Sequence, residues 1–190
     1  MRFNIGYIRD YFAKSKARVV VVWALQIAAT IALAAMISFA FFQTVGIQEG
    51  SMEPTISAGE RLLVNRIIYS ISDVKRGDIV AFRLGDRSKG SVHIKRVIGV
   101  AGDSIQIQNE QILIDDKTYM EQKNFPSIQN AGIAEEPVNL SGNEFFVLGD
   151  NRNSSEDSRF IDVGNIKKDQ IIGKVWFVVS PMNKMGLLNS

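Results

Sequence analysis

Residues 19–42 read VVVVWALQIAATIALAAMISFAFF, twenty-four residues without a charge. Gln26, Thr30 and Ser38 are the only polar side chains among them. As a helix this run is about 36 Å long, enough to cross a hydrocarbon layer of about 30 Å with some tilt. A cleavable signal peptide is one competing reading, because Ser38-Phe39-Ala40 sets small residues at alternate positions. Signal h-regions span about 7–15 residues, however, and this run is longer and continues through Phe41 and Phe42. A buried core helix is the other competitor, and this run exceeds a typical globular helix in length. The run therefore reads as one membrane-spanning helix that divides the chain into residues 1–18, 19–42 and 43–190.

Charge is distributed unevenly about this division. Residues 1–18 hold Arg2, Arg9, Lys14, Lys16 and Arg18 against Asp10 alone, a net +4. Residues 43–190 hold 17 basic and 19 acidic residues, a net −2. Basic flanks stay on the cytoplasmic side, so residues 1–18 are expected in the cytoplasm and 43–190 outside the cell membrane. The whole 190-residue chain is only +2, which is no nucleic-acid polycation. Cysteine is absent, which excludes disulfides, thiolate metal sites and cysteine nucleophiles. His93 is the only histidine, so no multi-histidine metal centre is expected, and no cofactor is called for.

Beyond residue 42 the pattern changes to short β-branched or alternating runs punctuated by Gly, Asp and Asn. Such runs lie at 61–64, 78–82, 92–97, 104–107, 111–114, 145–148 and 174–179, with Gln108-Asn109-Glu110 as a hairpin turn. Helical signal is confined to a turn or two within 64–71. The exterior part is therefore expected to be mainly β. Residues 115–143 are polar and carry Pro126, Gly132, Pro137 and Gly142, which reads as a lobe outside the hydrophobic core. Residues 181–190 read as a loosely packed end.

Three segments carry chemistry. In Gly50-Ser51-Met52-Glu53-Pro54-Thr55, Gly50 permits an unusual backbone angle before a serine and Pro54 fixes the turn after it. A serine nucleophile needs a base. Val92-His93-Ile94-Lys95-Arg96-Val97-Ile98-Gly99 reads as a strand, which puts His93 and Lys95 on one face, so alternation does not choose between them. Burial among apolar groups lowers a lysine pKa and makes its amine a competent base. The third segment, residues 149–159, follows an apolar strand and mixes both charge signs, as in ion pairs that brace a site.

Taken in order, these segments resemble the bacterial type I signal peptidases, membrane-bound serine proteases that remove signal peptides from exported preproteins. The resemblance rests on Ser51-Met52-x-Pro54-Thr55, Arg76-Gly77-Asp78-Ile79-Val80-x-Phe82, Lys95-Arg96-Val97-Ile98-Gly99-x-x-Gly102-Asp103 and Gly149-Asp150-Asn151-Arg152-x-x-Ser155-x-Asp157-Ser158-Arg159. It implies Ser51 as nucleophile and Lys95 as general base, with no triad histidine. It implies that Ser155 supports the lysine amine, and that Arg96–Asp150 and Asp157–Arg159 are braces. It also implies an all-β catalytic core with a small inserted lobe, mapping to about 104–142. Some family members build the oxyanion hole with a serine two residues before the nucleophile. Here that residue is Glu49, which cannot donate when ionised, so the hole rests on backbone N–H groups, chiefly that of Ser51.

On this resemblance, residues 46–50, including Glu49 and Gly50, and residues 92–94, including His93, flank an extended signal peptide as strand partners. Ile47, Met52, Ile56 and Ile94 then line shallow apolar pockets that admit small side chains, the A-x-A type of site. The expected partners are signal peptides and membrane lipid, with no nucleic acid and no metal. Two other classes compete. A non-catalytic assembly factor of the same fold would lack the serine or the lysine, and both are present. A self-cleaving regulator would carry a DNA-binding domain, for which 18 residues leave no room.

Overall fold

A computed structural model describes residues 5–85 and 90–188. The first four residues of the basic segment and the last two of the tail fall outside that range. The chain forms two units, residues 1–41 and 42–190.

The first unit is a single helix, α1 (Ile5–Phe41). It starts well before the uncharged run and takes in most of the basic segment. Residues Lys16–Met36 are long and apolar enough to cross a membrane, with a mean hydropathy of 2.3. Large side chains stay exposed along the run, from Val20 at 66% to Met36 at 64%. An uncharged helical stretch with large apolar side chains exposed along it matches a lipid environment.

The second unit is mainly β. Its larger sheet contains β1 (Phe42–Gly46), β2 (Arg61–Asn65), β3 (Ile79–Arg83), β4 (Val92–Gly99), β9 (Glu144–Leu148), β10 (Ile166–Lys167), β11 (Ile171–Ser180) and β12 (Gly186–Leu187). The strand order is β1-β2-β11-β3-β4-β9-β10, with β12 added to β11. All its pairings are antiparallel. A second sheet of four strands contains β5 (Ser104–Gln108), β6 (Gln111–Ile114), β7 (Lys117–Thr118) and β8 (Val138–Asn139), in the order β7-β6-β5-β8. The helical turns expected in 64–71 are one short helix, α2 (Ile68–Ile71).

Both tight hairpins of the second sheet use left-handed residues. Asn109 and Glu110 have φ of 51° and 65°, and Asp115 and Asp116 have φ of 51° and 63°. Two consecutive positive φ values make the hairpin turn whose twist matches the flanking strands. Asn and Asp tolerate that region best among residues other than Gly, and Glu110 is carried along by the register Gln108↔Gln111.

Strand alternation buries Ile105, Ile107, Ile112 and Ile114 in a core under the second sheet. The polar excursion at 115–143 is not outside that core as expected. Ile128, Ala134 and Leu140 are 3%, 0% and 5% exposed and pack into it. They are single apolar residues without strand or helix periodicity, so the sequence pattern hid them. Two further clusters pack on the larger sheet, one around Met52, Ile56, Leu62, Ile79 and Ile94, the other around Val80, Phe82, Val97 and Val147. The tail also differs from expectation. Gly186 and Leu187 pair with Val178 and Phe177, and Lys184 Nζ donates to Ser57 Oγ and Glu60 Oε1, both at 2.8 Å.

Strand β11 bends at Gly173, where its register against β3 shifts. A Cβ at Gly173 would lie 2.1 Å from the backbone oxygen of Asn65. Gly173→Ala is expected to cost about 1–3 kcal/mol by overpacking. Chemical unfolding checks this, and an unchanged midpoint would mean that the strand slides freely.

Candidate active site

Strand β4 sits between β3 and β9, and its burial rises along its length until no residue from Ile94 to Gly99 is exposed. Lys95 is carried inward with it and is 1% exposed. Its amine Nζ donates to Ser51 Oγ at 2.7 Å, and Ser51 is 8% exposed. Burial pushes the lysine pKa down, because an ammonium loses its hydration there. Glu49, Asp157 and Glu156 oppose that shift and Arg159 adds to it. His93 makes no hydrogen bond with Ser51. Its Nδ1 lies 4.0 Å from Glu49 Oε1, and its ring packs tilted against Phe82 at 5.8 Å. Alternation left His93 and Lys95 equal, and depth along the strand separates them.

Ser51 is fixed by its own turn and by the loop after β9. Glu53 N–H donates to Gly50 O at 3.2 Å and Ile56 N–H to Met52 O at 2.9 Å. Asn151 reaches back with N–H to Ser51 O at 3.1 Å and with Nδ2 to Gly50 O at 3.2 Å. Gly50 itself is not left-handed, contrary to expectation. The glycine that the site needs is Gly149. A Cβ there would lie 2.2 Å from Ser155 Oγ and 2.4 Å from Ser51 O. Asn151 and Gly149 belong to the motif quoted above but carried no role there, since nothing local links them to Ser51.

The charged loop holds both expected ion pairs. Arg96 Nε and Nη2 grip Asp150 at 2.8 and 2.7 Å, and its Nη1 donates to Gly77 O. Arg159 Nε and Nη2 grip Asp157 at 2.7 and 2.8 Å, and Asp157 also accepts Gly149 N–H at 3.1 Å. A third arginine, quoted in the sequence motif without a role, is buried in the same loop. Arg152 is 2% exposed, pairs with Glu121 at 2.5 Å and stacks 4.6 Å over Phe125, whose ring also lies 5.2 Å from Arg96. Ser155 Oγ is buried without a hydrogen-bond partner, so the contact expected between it and Lys95 is not formed.

A groove of about 310 Å³ opens beside Ser51, lined among others by Ile47, Glu49, Met52 and Ile94. Gln48 and Ser91 join them and were not singled out in the sequence. Gly50 and His93 do not line it, and Ile56 is wholly buried in the core. Two strand edges face this space. Strand β4 pairs with β9 only from Arg96 onward, which leaves 92–95 without a partner on that side. Strand β1 pairs with β2 alone and ends the sheet.

The Arg96–Asp150 pair yields a stability test. Arg96→Met leaves a buried carboxylate unpaired and is expected to cost about 3–5 kcal/mol, whereas removing both charges with Asp150→Leu recovers most of that. Urea unfolding of the single and double variants measures it. Equal losses in both would show that packing, not charge, holds the site.

Residues 20–180 match the family model described as signal peptidase, peptidase S26. Among curated proteins, signal peptidase I T of Bacillus subtilis (strain 168) is 35% identical over 91% of this chain and 92% of its own length. Signal peptidase I of Bacillus amyloliquefaciens is 34% identical over 90% of this chain and 94% of its own. A crystal structure of a signal peptidase I from Enterococcus faecalis V583 aligns at 24% identity with a TM-score of 0.42, covering 55% of this chain and 97% of that one. With the family model matched from α1 to the end of β11 and the two Bacillus proteins about 35% identical over most of both chains, this chain belongs to the signal peptidase family, peptidase S26.

Proposed function

We propose that this chain is a membrane-anchored type I signal peptidase, a serine endopeptidase that removes signal peptides from exported preproteins after small residues at alternate positions. One observation carries the reading: the buried amine of Lys95 lies 2.7 Å from Ser51 Oγ. A solvated lysine is protonated at neutral pH and cannot accept a proton, but burial favours the neutral amine.

The chemistry then follows. Neutral Lys95 takes the proton of Ser51 as Oγ attacks the peptide carbonyl. The developing oxyanion is met by backbone N–H groups, chiefly that of Ser51, since Glu49 supplies no donor. The lysine ammonium hands its proton to the leaving amine. Water, activated by the same amine, then hydrolyses the acyl group from Ser51. Asp150 and Asp157 are each saturated by an arginine, so neither captures Lys95 as a fixed ammonium.

The substrate enters as a strand between residues 46–50 and 92–94, the latter without a partner from β9. Ile47, Met52 and Ile94 make the apolar wall that admits an alanine and excludes larger side chains. The helix anchors the enzyme, and the +4 flank keeps its N-terminus cytoplasmic.

A preprotein with an A-x-A site should be cleaved by the wild type and left intact by Ser51→Ala and by Lys95→Met, while His93→Ala retains most activity. If His93→Ala is the inactive variant, a serine–histidine mechanism replaces this one. The rate should rise with pH through an apparent pKa below the ordinary lysine value, because only the neutral amine works. The same group also leaves a mark on stability. The folded state binds fewer protons at Lys95 than the unfolded chain, so stability falls as pH drops from the unfolded pKa toward the folded one. Lys95→Met should remove that slope, read as the difference in melting temperature between the two proteins from pH 10 down to 7. For topology, protease added to intact spheroplasts should digest the exterior domain. Loss of the first 18 residues alone would reverse the orientation.

A further inference from the structure

Of the ten described residues that line the groove beside Ser51, Glu49 alone is charged. Its side chain is 55% exposed, and no described residue donates a hydrogen bond to its carboxylate. The imidazole of His93 lies beside it, with Nδ1 4.0 Å from Oε1. The buried carboxylates of the site are in a different state. Asp150 and Asp157 are gripped in bidentate fashion by Arg96 and Arg159, so their charge is cancelled where it stands. Glu49 instead presents an open negative charge two residues before the nucleophile, on the wall that a bound peptide must follow.

We infer that Glu49 sets a charge preference on the substrate: a cationic side chain close to the scissile bond is favoured and an acidic one is disfavoured. This rests on the signal-peptidase reading of the site. An extended peptide in the groove turns alternate side chains to opposite faces. The two small residues fill the apolar wall, so the side chains left free to meet Glu49 are the middle residue of A-x-A and the first residue after the cut. The groove is open to solvent, which limits such a contact to the strength of an exposed ion pair and makes it sensitive to salt.

Glu49 also acts on the base. Its charge supports the ammonium form of Lys95 and is the largest of the three carboxylate influences there, ahead of Asp157 and Glu156, while Arg159 acts the other way. Removing it should let Lys95 lose its proton at lower pH.

The test uses the full chain in detergent micelles and peptides with an A-x-A site carrying Lys, Gln or Glu at either free position. At low ionic strength the wild type should cleave the Lys peptide about three- to tenfold faster than the Glu peptide, in kcat/KM, at one of those positions. The ratio should shrink at about 0.5 M salt. Glu49→Gln should bring the ratio near one and move the acid limb of the pH–rate profile to lower pH, and Glu49→Lys should invert the ratio. Equal rates on all peptides by the wild type, or an unchanged ratio in Glu49→Gln, overturns the inference. Cleavage of the Gln peptide by the wild type and not by Ser51→Ala then shows that the signal-peptidase reading survives that failure. If the wild type cleaves none of the peptides, both fall together.

Discussion

Burying the amine of Lys95 is the constraint on which the proposed catalytic unit depends. An ammonium taken out of water is costly, and the cost is what turns a lysine into a base. The fold must therefore supply apolar burial on both sides of β4 without offering the amine a permanent counter-charge. It does so by giving every nearby deep carboxylate its own arginine. Asp150 is held by Arg96, the next residue along the strand, and Asp157 by Arg159, two residues further along the loop. Were Asp157 free of Arg159, its charge would hold Lys95 more strongly in the ammonium form.

The same sheet that buries Lys95 leaves two of its edges open beside it. Unpaired strand edges invite aggregation, and proteins ordinarily cover or shorten them. Here the edge of β4 is free only over 92–95, because β9 begins its pairing at Arg96. The lysine thus sits at the point where the strand passes from an open edge to a fully paired one. On the proposed reading, a peptide laid along the open part brings its backbone beside Ser51.

Much of this was legible in the sequence. The uncharged run stood apart by length, and the strands from β2 to β6 and β9 announced themselves by alternation and by turn residues. The serine, the lysine and the paired Asp/Arg loop were visible as ordered motifs. What stayed hidden was set by tertiary contact. Strand β1 begins at Phe42, inside what reads as the end of the apolar run, because an aromatic residue suits a helix end and a strand start equally. Ile128, Ala134 and Leu140 lie singly in polar surroundings, and only the second sheet gives them a core to enter. The tail carries no strong strand pattern, yet β11 has an edge for it to join. The choice between His93 and Lys95 depends on Ser51, 44 residues away from Lys95 in sequence, and no periodicity reports that distance.

The arginines show why the site is polar where an apolar core would be more stable. A buried ion pair seldom outdoes well-packed hydrophobic residues of the same volume, so stability alone does not explain three buried arginines. Bidentate pairing does something packing cannot: it fixes direction as well as distance. Arg159 draws in the carbonyl of Arg152 at 2.6 Å, Arg152 reaches Glu121 and lies on Phe125, and Phe125 also meets Arg96. The loop that carries Asn151 against the Ser51 backbone is thereby tied to the strand that carries Lys95 and to the segment following β7. Ser51 and Lys95 are held 2.7 Å apart from two directions, although no bond in either local segment requires them to meet. Gly149 lets this closure happen, since the approach of Ser155 and Ser51 leaves no room for a side chain there.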